Sequence, residues 1–240
     1  MVYSLFMNTD YFPQTAEVEA IIGYQFTKPE LLTLALIHPS YWNEHRDAVP
    51  GHNERLEFLG DSILGLMVAQ YLYQKLPETP EGVLSDLRAQ IVEATSCALY
   101  VKKLGVGSYI LLGKGESMNV GKGRETIFAD FLEALIGAIY LDKGFSAAEE
   151  FFFRNFTDEL EKVVAEPAHN WKAELQEYAQ KTFQVTPEYK VIAESGPSHN
   201  KIFRVAVFIG DDEVGQDEGS SKKEAQAKAA EQAMRGIGED

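Results

Sequence analysis

The chain has 240 residues, of which 45% are hydrophobic and 25% charged, and its formal net charge is −15. This composition excludes a disordered chain and suffices for one large domain or two ordinary ones. The single cysteine, Cys97, allows no internal disulfide and no cysteine-based zinc site, so we expect a reducing, cytoplasmic location. Neither a signal peptide nor a membrane-spanning apolar run is found, so we expect no membrane partner.

The first part of the chain predicts two short helices and a loop. The first helix covers residues 14–24, and the second has Pro29 in its first turn. The second helix ends at His38-Pro39-Ser40, because a residue before proline avoids helical geometry. Residues 41–52 are polar and predict a loop.

The next stretch, His52 to Tyr73, predicts a long buried helix with an acidic stripe. Its carboxylates Glu54, Glu57 and Asp61 follow one another in steps of three and four, which places them on one face. Like charges that enter a buried helix repel, so a cation is needed beside them. Arg55 and a bound metal ion are the two candidates. The apolar positions that give the helical spacing are Leu56, Leu59, Ile63, Leu66, Met67 and Tyr71.

Helical spacing continues from Glu81 through Val101 and returns at residues 146–164. Between them, residues 113–124 predict a glycine- and lysine-rich loop. Glu54 and Glu81 both begin helices, where the helix dipole favours acidic residues. The spacing alone therefore leaves open whether these two residues belong to a functional site.

A second long apolar helix is predicted from Thr126 to Leu141, with Asp130 and Glu133 three residues apart on one face. Together with Glu57 and Asp61, they give two buried helices that each carry an acidic pair. Oxygen ligands without cysteine or clustered histidine suit Mg²⁺ or Mn²⁺. Magnesium sites of this kind serve phosphate chemistry, where two ions activate a water and stabilise the leaving oxygen.

The pattern changes at residues 165–170, which predict a linker. Beyond it we predict a helix, three strands and a final helix, with a hairpin turn at Gly210-Asp211-Asp212. The predicted bounds are 171–182 for the first helix, 188–193, 201–209 and 213–218 for the strands, and 221–235 for the last helix. We therefore expect an all-α domain over 13–164 and a small α+β domain, of order α-β-β-β-α, over 171–236.

Lys222 and Lys223 fall in the first turn of the final helix, where cations oppose the helix dipole. Such a pair is either a tolerated surface feature or a phosphate-binding site built on a helix N-terminus. Neither predicted domain is basic: residues 170–240 hold 9 Lys or Arg against 13 Asp or Glu, and residues 1–169 hold 13 against 24. Binding of a nucleic acid would therefore depend on local patches and shape.

Residues 53–62, 123–142 and 171–235 resemble ribonuclease III of the bacterial type, the double-stranded-RNA endonuclease. NERLEFLGDS at 53–62 resembles the signature of that family, and GRETIFADFLEALIGAIYLD at 123–142 resembles its second acidic helix. LQEYAQ at 175–180, GPSHNKIF at 196–203 and SSKKEAQAKAA at 220–230 resemble the double-stranded-RNA-binding domain.

The resemblance implies a role for each matching residue. The metal-binding cluster would be Glu57, Asp61, Asp130 and Glu133, of which Asp61 and Glu133 would be catalytic. Glu54 and Glu81 would line the cleft of a homodimer, and Phe58 would insert into the partner subunit. Gln176, Glu177 and His199 would contact minor grooves of the RNA, and Lys222 and Lys223 would contact the phosphates between them.

The resemblance also implies the reaction: Mg²⁺-dependent hydrolysis of phosphodiesters in double-stranded RNA, leaving 5′-phosphate and 3′-hydroxyl ends. Its substrates would be structured precursors of ribosomal and messenger RNA. The alternative is a non-catalytic RNA-binding scaffold of the same fold, for which the acidic residues would bring only repulsion. A metal phosphohydrolase acting on nucleotides is a second alternative, against which the C-terminal domain argues.

Overall fold

A computed structural model of the chain describes residues 15–118, 123–165, 170–197 and 201–237. The chain divides into two units, Met1–Pro167 and Ala168–Asp240. The first unit is helical, and the second has a helix, three antiparallel strands and a helix in that order, so the predicted fold class is confirmed. No helix in these described ranges is long and apolar enough to cross a membrane.

Helices α4 and α8 form the centre of the first unit, and apolar residues from the other helices pack around them. The helices of this unit are α1 (Thr15–Ile22), α2 (Pro29–Leu36), α3 (Pro39–Glu44), α4 (Glu54–Lys75), α5 (Glu81–Val92), α6 (Ala94–Leu104), α7 (Lys114–Ser117), α8 (Gly123–Lys143) and α9 (Phe145–Ala165).

The backbones of α4 and α8 touch at two glycines. A Cβ atom at Gly60 would overlap the carbonyl oxygen of Glu133, and a Cβ atom at Gly137 would overlap the carbonyl oxygen of Leu56. Only glycine leaves room for this approach, because every other residue carries a Cβ. The two glycines therefore fix both the distance between the helices and the residues that face each other across them.

The start of α4 is held by Asn53, which is 1% exposed. Its backbone N–H donates to the Ile37 carbonyl oxygen at 2.9 Å, and its side-chain Nδ2 donates to the Ala35 carbonyl oxygen at 3.4 Å. Ile37 also pairs with Leu111 in an isolated parallel bridge. These bonds tie the first acidic turn of α4 to the end of α2.

The predicted loop over 41–52 is wrong in part, because α3 occupies Pro39–Glu44. Pro39 stands at the first position of this helix, where its missing N–H is not needed. The Nδ1 atom of His38 accepts from the Ser40 N–H at 3.2 Å and caps the helix. The same proline thus follows the end of one helix and begins the next.

The predicted continuous helix from Glu81 through Val101 is also wrong, because it breaks at Glu93. Glu93 is extended, with ψ of 155°, and is the N-cap of α6. The Ser96 hydroxyl donates to the Gln90 carbonyl oxygen at 2.6 Å, and the Thr95 hydroxyl donates to Oε1 of Glu93 at 2.7 Å. These side-chain bonds satisfy polar groups at a break that contains neither glycine nor proline.

One face of α4 is both apolar and exposed to solvent. Leu66, predicted to face inward, is 57% exposed, while Phe58 is 78% and Tyr73 is 74% exposed. At about 100° per residue, these three side chains fall within an arc of roughly 80°. The part of the first unit that the structure describes leaves this apolar stripe open to solvent.

The second unit packs α10 (Trp171–Phe183) and α11 (Lys222–Ile237) on one face of a sheet with strand order β1-β2-β3. The strands are β1 (Glu188–Ser195), β2 (Ile202–Ile209) and β3 (Asp212–Gly219). The hairpin loop is Gly210-Asp211, one residue shorter than predicted, with Gly210 at φ of 64°. A Cβ atom at Gly215 would overlap the carbonyl oxygen of Ala229, so a glycine on β3 and alanines on α11 permit close packing.

The Gly60 contact predicts a large loss of stability for Gly60→Ala. The new methyl group would collide with helix backbone, and overpacking of this kind costs about 3 kcal/mol or more where the backbone itself must move. Gly65→Ala is the matched control, because a Cβ atom at Gly65 meets nothing within 4 Å. That control should gain roughly 0.5–1 kcal/mol from its helix propensity. Urea unfolding measures both, and similar effects of the two substitutions would contradict the packing argument.

Candidate active site

The close approach of α4 and α8 sets the acidic residues of the two helices against each other. Glu57 and Asp61 stand on either side of Gly60, and Gly60 lies against the backbone of Glu133 itself. Asp130 is one turn before Glu133 on α8. The predicted cluster of four carboxylates therefore has its members on facing sides of one helix pair.

Burial and mutual repulsion raise the pKa of three of these carboxyls. The pKa of Glu133 rises to about 7, first through burial and then through the charges of Asp61, Asp130 and Glu57. The pKa of Glu57 is raised by burial and then by Asp130, Glu54 and Asp61. Burial, followed by the charge of Glu54, raises the pKa of Asp130. Each ionised neighbour, Asp61 and Glu54 included, thus disfavours ionisation of these three carboxyls.

No protein cation neutralises this cluster within the described ranges. Arg55, one of the two predicted candidates, is exposed and forms no ion pair with any residue there. The remaining candidate is a metal ion. No three His, Cys, Asp or Glu side chains in the described part of the chain are gathered closely enough to make a ready metal cage. By chemistry the donors fit a hard divalent cation, because all of them are carboxylate oxygens.

Glu54 and Glu81 differ in their relation to the cluster. The charge of Glu54 raises the pKa of both Glu57 and Asp130, so Glu54 is within electrostatic range. Its Oε2 atom is 3.4 Å from Nδ1 of His52. Glu81 begins α5, is exposed and accepts a hydrogen bond from the Ser85 hydroxyl at 2.8 Å. It is not among the charges that raise the pKa values of Glu57, Asp130 and Glu133.

Four of the five predicted RNA-binding residues lie on the two helices of the second unit. Gln176 and Glu177 are exposed on α10, and Glu177 pairs with Lys181 at 2.6 Å. Lys222 and Lys223 are the first two residues of α11 and are exposed. His199 lies outside the described residues.

A capping arrangement fixes where α11 begins and so presents the two lysines. The Ser221 hydroxyl accepts from the Glu224 N–H at 3.1 Å, and Oε2 of Glu224 accepts from the Ser220 N–H at 2.8 Å. The hydrogen bond from Lys228, followed by those from Ser220, lowers the pKa of Glu224 to about 2. An ionised Glu224 in the first turn offsets part of the dipole penalty that the lysines incur.

Comparison with known proteins identifies two domains in the chain. The model of the Ribonuclease-III-like family matches residues 28–160, and the model of the double-stranded RNA binding motif matches residues 171–237. The chain belongs to the ribonuclease III family. The resemblance read from the sequence is therefore confirmed.

Relatives in this ribonuclease III family match most of the chain. Ribonuclease 3 of Protochlamydia amoebophila is 55% identical over 221 residues, which are 92% of this chain and 91% of that protein. Ribonuclease 3 of Leptospira interrogans is 44% identical over 88% of this chain and 85% of its own length.

Two solved structures of the nuclease domain of ribonuclease III from Campylobacter jejuni resemble the chain. One has a TM-score of 0.53 and 38% identity over 65% of this chain and 97% of its own. The other has a TM-score of 0.52 and 39% identity over 59% of this chain and 97% of its own. The latter is described as flexible in a region involved in dimer formation.

Sequence reasoning missed Gly60 and Asn53, the two residues that place the acidic stripe of this ribonuclease III family member. Both had a signal. An isolated glycine inside an apolar helix indicates close approach of another backbone. A polar residue just before an apolar helical pattern indicates a helix start, although the Asn53 side chain donates to the Ala35 carbonyl oxygen of α2 and does not cap its own helix.

The raised pKa of Glu133 predicts the pH dependence of stability in metal-free protein. Its pKa is 4.5 in an unfolded chain and about 7 in the folded one, so the folded state binds the proton more tightly. Stability should therefore be lost as pH rises through that interval, with the full loss reached above about pH 7. Glu133→Gln should remove this loss, and the melting temperatures of the two proteins should diverge between about pH 5 and about pH 8.

Thermal unfolding in a chelating buffer measures this difference. A divalent cation, added in place of the chelator, should raise the melting temperature of the wild type more at the upper end of the pH range, because carboxyl groups must lose their protons to bind it. If the melting temperatures of the wild type and Glu133→Gln instead change in parallel across the pH range, the raised pKa of Glu133 is contradicted.

Proposed function

We propose that this chain is a Mg²⁺-dependent endoribonuclease that hydrolyses phosphodiesters in double-stranded RNA. The observation that carries the proposal is the pair of acidic faces on α4 and α8, on which the carboxyls of Glu57, Asp130 and Glu133 have raised pKa values. No protein cation among the described residues neutralises these faces. We assign the nuclease function to residues 13–164 and duplex recognition to residues 171–236, with 165–170 as the linker. Its place would be the cytoplasm, and its substrates precursors of ribosomal and messenger RNA.

Glu57, Asp61, Asp130 and Glu133 would hold the divalent cation, either Mg²⁺ or Mn²⁺. When bound, such an ion polarises the phosphoryl oxygen and lowers the pKa of a coordinated water. Glu133 would retain a proton near neutrality without the ion, since its pKa is raised to about 7. Release of that proton turns the side chain into a ligand, so binding of the ion and loss of the proton are linked. Asp61 and Glu133 would be the catalytic pair, and Glu54 and Glu81 would line the surrounding cleft.

In the second unit, Gln176 and Glu177 would contact a minor groove of the duplex, and His199 would contact the next one. Lys222 and Lys223 would contact the phosphates between them. This footprint reads the A-form shape through phosphates and 2′-hydroxyls, with little dependence on base sequence.

The exposed stripe on α4 supports a homodimer. Phe58, Leu66 and Tyr73 form an apolar face, and the acidic stripe runs beside it on the same helix. A partner that covered the apolar face would bring its own acidic cluster to the same cleft. Two clusters related by a two-fold axis would then serve the two strands of a duplex, one hydrolysis for each.

Glu133→Gln should abolish cleavage and preserve RNA binding. It removes a ligand charge, and loss of metal-ion charge stabilisation is expected to slow cleavage at least about 100-fold. Cleavage of a labelled RNA hairpin with and without Mg²⁺ measures the first effect, and a gel-shift assay without Mg²⁺ measures the second. Glu150→Gln is the control of equal charge change, because Glu150 is exposed on α9. Wild-type protein that binds the hairpin but never cuts it would support the non-catalytic scaffold instead.

Phe58→Ala should weaken the homodimer. Truncation of a buried interface aromatic costs roughly 2 kcal/mol or more, which is about a 30-fold rise in the dissociation constant. Sedimentation velocity over a dilution series measures it. Phe183→Ala is the control, because Phe183 is 53% exposed on α10 in the second unit. A Phe58→Ala dimer as tight as the control, or a variant that unfolds, would refute the interface role.

A further inference from the structure

Glu194, Lys201 and Lys222 form a group of charged side chains on the second unit, which we name the Glu194 cluster. Glu194 lies near the end of β1, Lys201 immediately precedes β2, and Lys222 begins α11. Oε2 of Glu194 accepts a hydrogen bond from Nζ of Lys201 at 3.2 Å, and its Oε1 lies 3.5 Å from Nζ of Lys222. One carboxylate therefore bridges two lysines that come from different elements.

The ammonium groups of both lysines also lie over one aromatic ring. Nζ of Lys222 is 5.5 Å and Nζ of Lys201 is 6.0 Å from the centroid of Phe203. Two ammonium groups brought this close repel each other, and the carboxylate and the face of the ring offset that repulsion. All three charged side chains remain open to solvent. The Glu194 cluster thus presents two converging ammonium groups, and the carboxylate of Glu194 already contacts both of them.

In the proposed function, on which the following inference rests, Lys222 contacts a phosphate of duplex RNA. We propose that Lys201 is a second phosphate-binding lysine and that Glu194 competes with the RNA backbone for both lysines. A phosphodiester oxygen carries the same charge as a carboxylate oxygen and accepts the same hydrogen bonds from an ammonium group. It would therefore take the position that Glu194 holds between Lys201 and Lys222.

The charge of Glu194 decides whether its removal strengthens or weakens RNA binding. Exposed ion pairs are weak, so a phosphate displaces Glu194 at small cost. The displaced carboxylate stays tethered at the end of β1, close to the incoming phosphate, and repels it. Removal of this charge should therefore tighten RNA binding, whereas a carboxylate that merely organised the lysines would have the opposite effect when removed.

The same sheet offers a matched control. Lys190 on β1 is 3.5 Å from Glu188 and lies 4.7 Å from the centroid of Phe208 on β2. This arrangement repeats the lysine, carboxylate and phenylalanine of the Glu194 cluster near the start of β1, away from Lys222. Substitutions there change charge and aromatic contact equally without touching the proposed phosphate position.

The test measures binding of the full chain to an RNA duplex of about 20 base pairs in a metal-free buffer, over a series of salt concentrations. Lys201→Ala should weaken binding. It should also make the negative slope of log K against log salt shallower by about 0.9, the value of one lost phosphate contact. Glu194→Gln should tighten binding about two- to fivefold. Lys190→Ala and Glu188→Gln should leave both quantities at the wild-type values.

Two further variants separate this inference from the function on which it rests. Lys222→Ala with Lys223→Ala should weaken binding and make the salt dependence shallower. If it does neither, the proposed phosphate contacts of Lys222 and Lys223 are wrong. If that double variant does weaken binding while Lys201→Ala and Glu194→Gln match their controls, only the present inference is overturned. Weaker binding by Glu194→Gln overturns it as well. Adding Lys201→Ala and Lys222→Ala to Glu194→Gln should abolish the gain.

Discussion

The contact between the backbones of α4 and α8 at Gly60 and Gly137 is the constraint on which the site depends. Each glycine lies against a carbonyl oxygen of the opposite helix, and one of those oxygens belongs to Glu133. The position of a proposed catalytic carboxylate is therefore coupled directly to helix packing. Larger residues at the contact would separate the helices and, with them, the two acidic faces. A precise site of this kind is better built on rigid helices than on loops.

That packing holds like charges together at a cost, which the raised pKa values of Glu57, Asp130 and Glu133 express. The cost is sustained by a large apolar core, in which Phe131, Phe151, Phe152 and Phe156 are fully buried. A proton and a divalent cation are alternative ways to neutralise the cluster. The protein thus trades stability for an anionic site that a cation completes, as functional sites commonly do.

Much of this arrangement could be predicted from the sequence, because helical periodicity places Glu57 with Asp61 and Asp130 with Glu133 without tertiary information. Periodicity does not show which apolar face of a helix the rest of the chain covers, so it includes Leu66 among the positions of a buried helix although Leu66 is exposed. Nor could it locate the break at Glu93, which depends on side-chain bonds from Thr95 and Ser96 rather than on glycine or proline. The Glu194 cluster was beyond sequence reasoning, since its lysines are 21 positions apart in the numbering and meet only through the fold.

The net charge of −15 is consistent with RNA recognition once the range of each interaction is considered. At physiological ionic strength charges are screened over about 8 Å, so the acidic residues of one surface scarcely affect phosphates bound at another. In the proposed role, Lys222 and Lys223 would act at contact distance, and the N-terminus of their helix would add oriented N–H groups. Net charge therefore governs long-range attraction, and local geometry governs binding. An acidic protein of this design gives up electrostatic steering of RNA and gains a site that attracts divalent cations, so its selectivity for duplexes must come from shape.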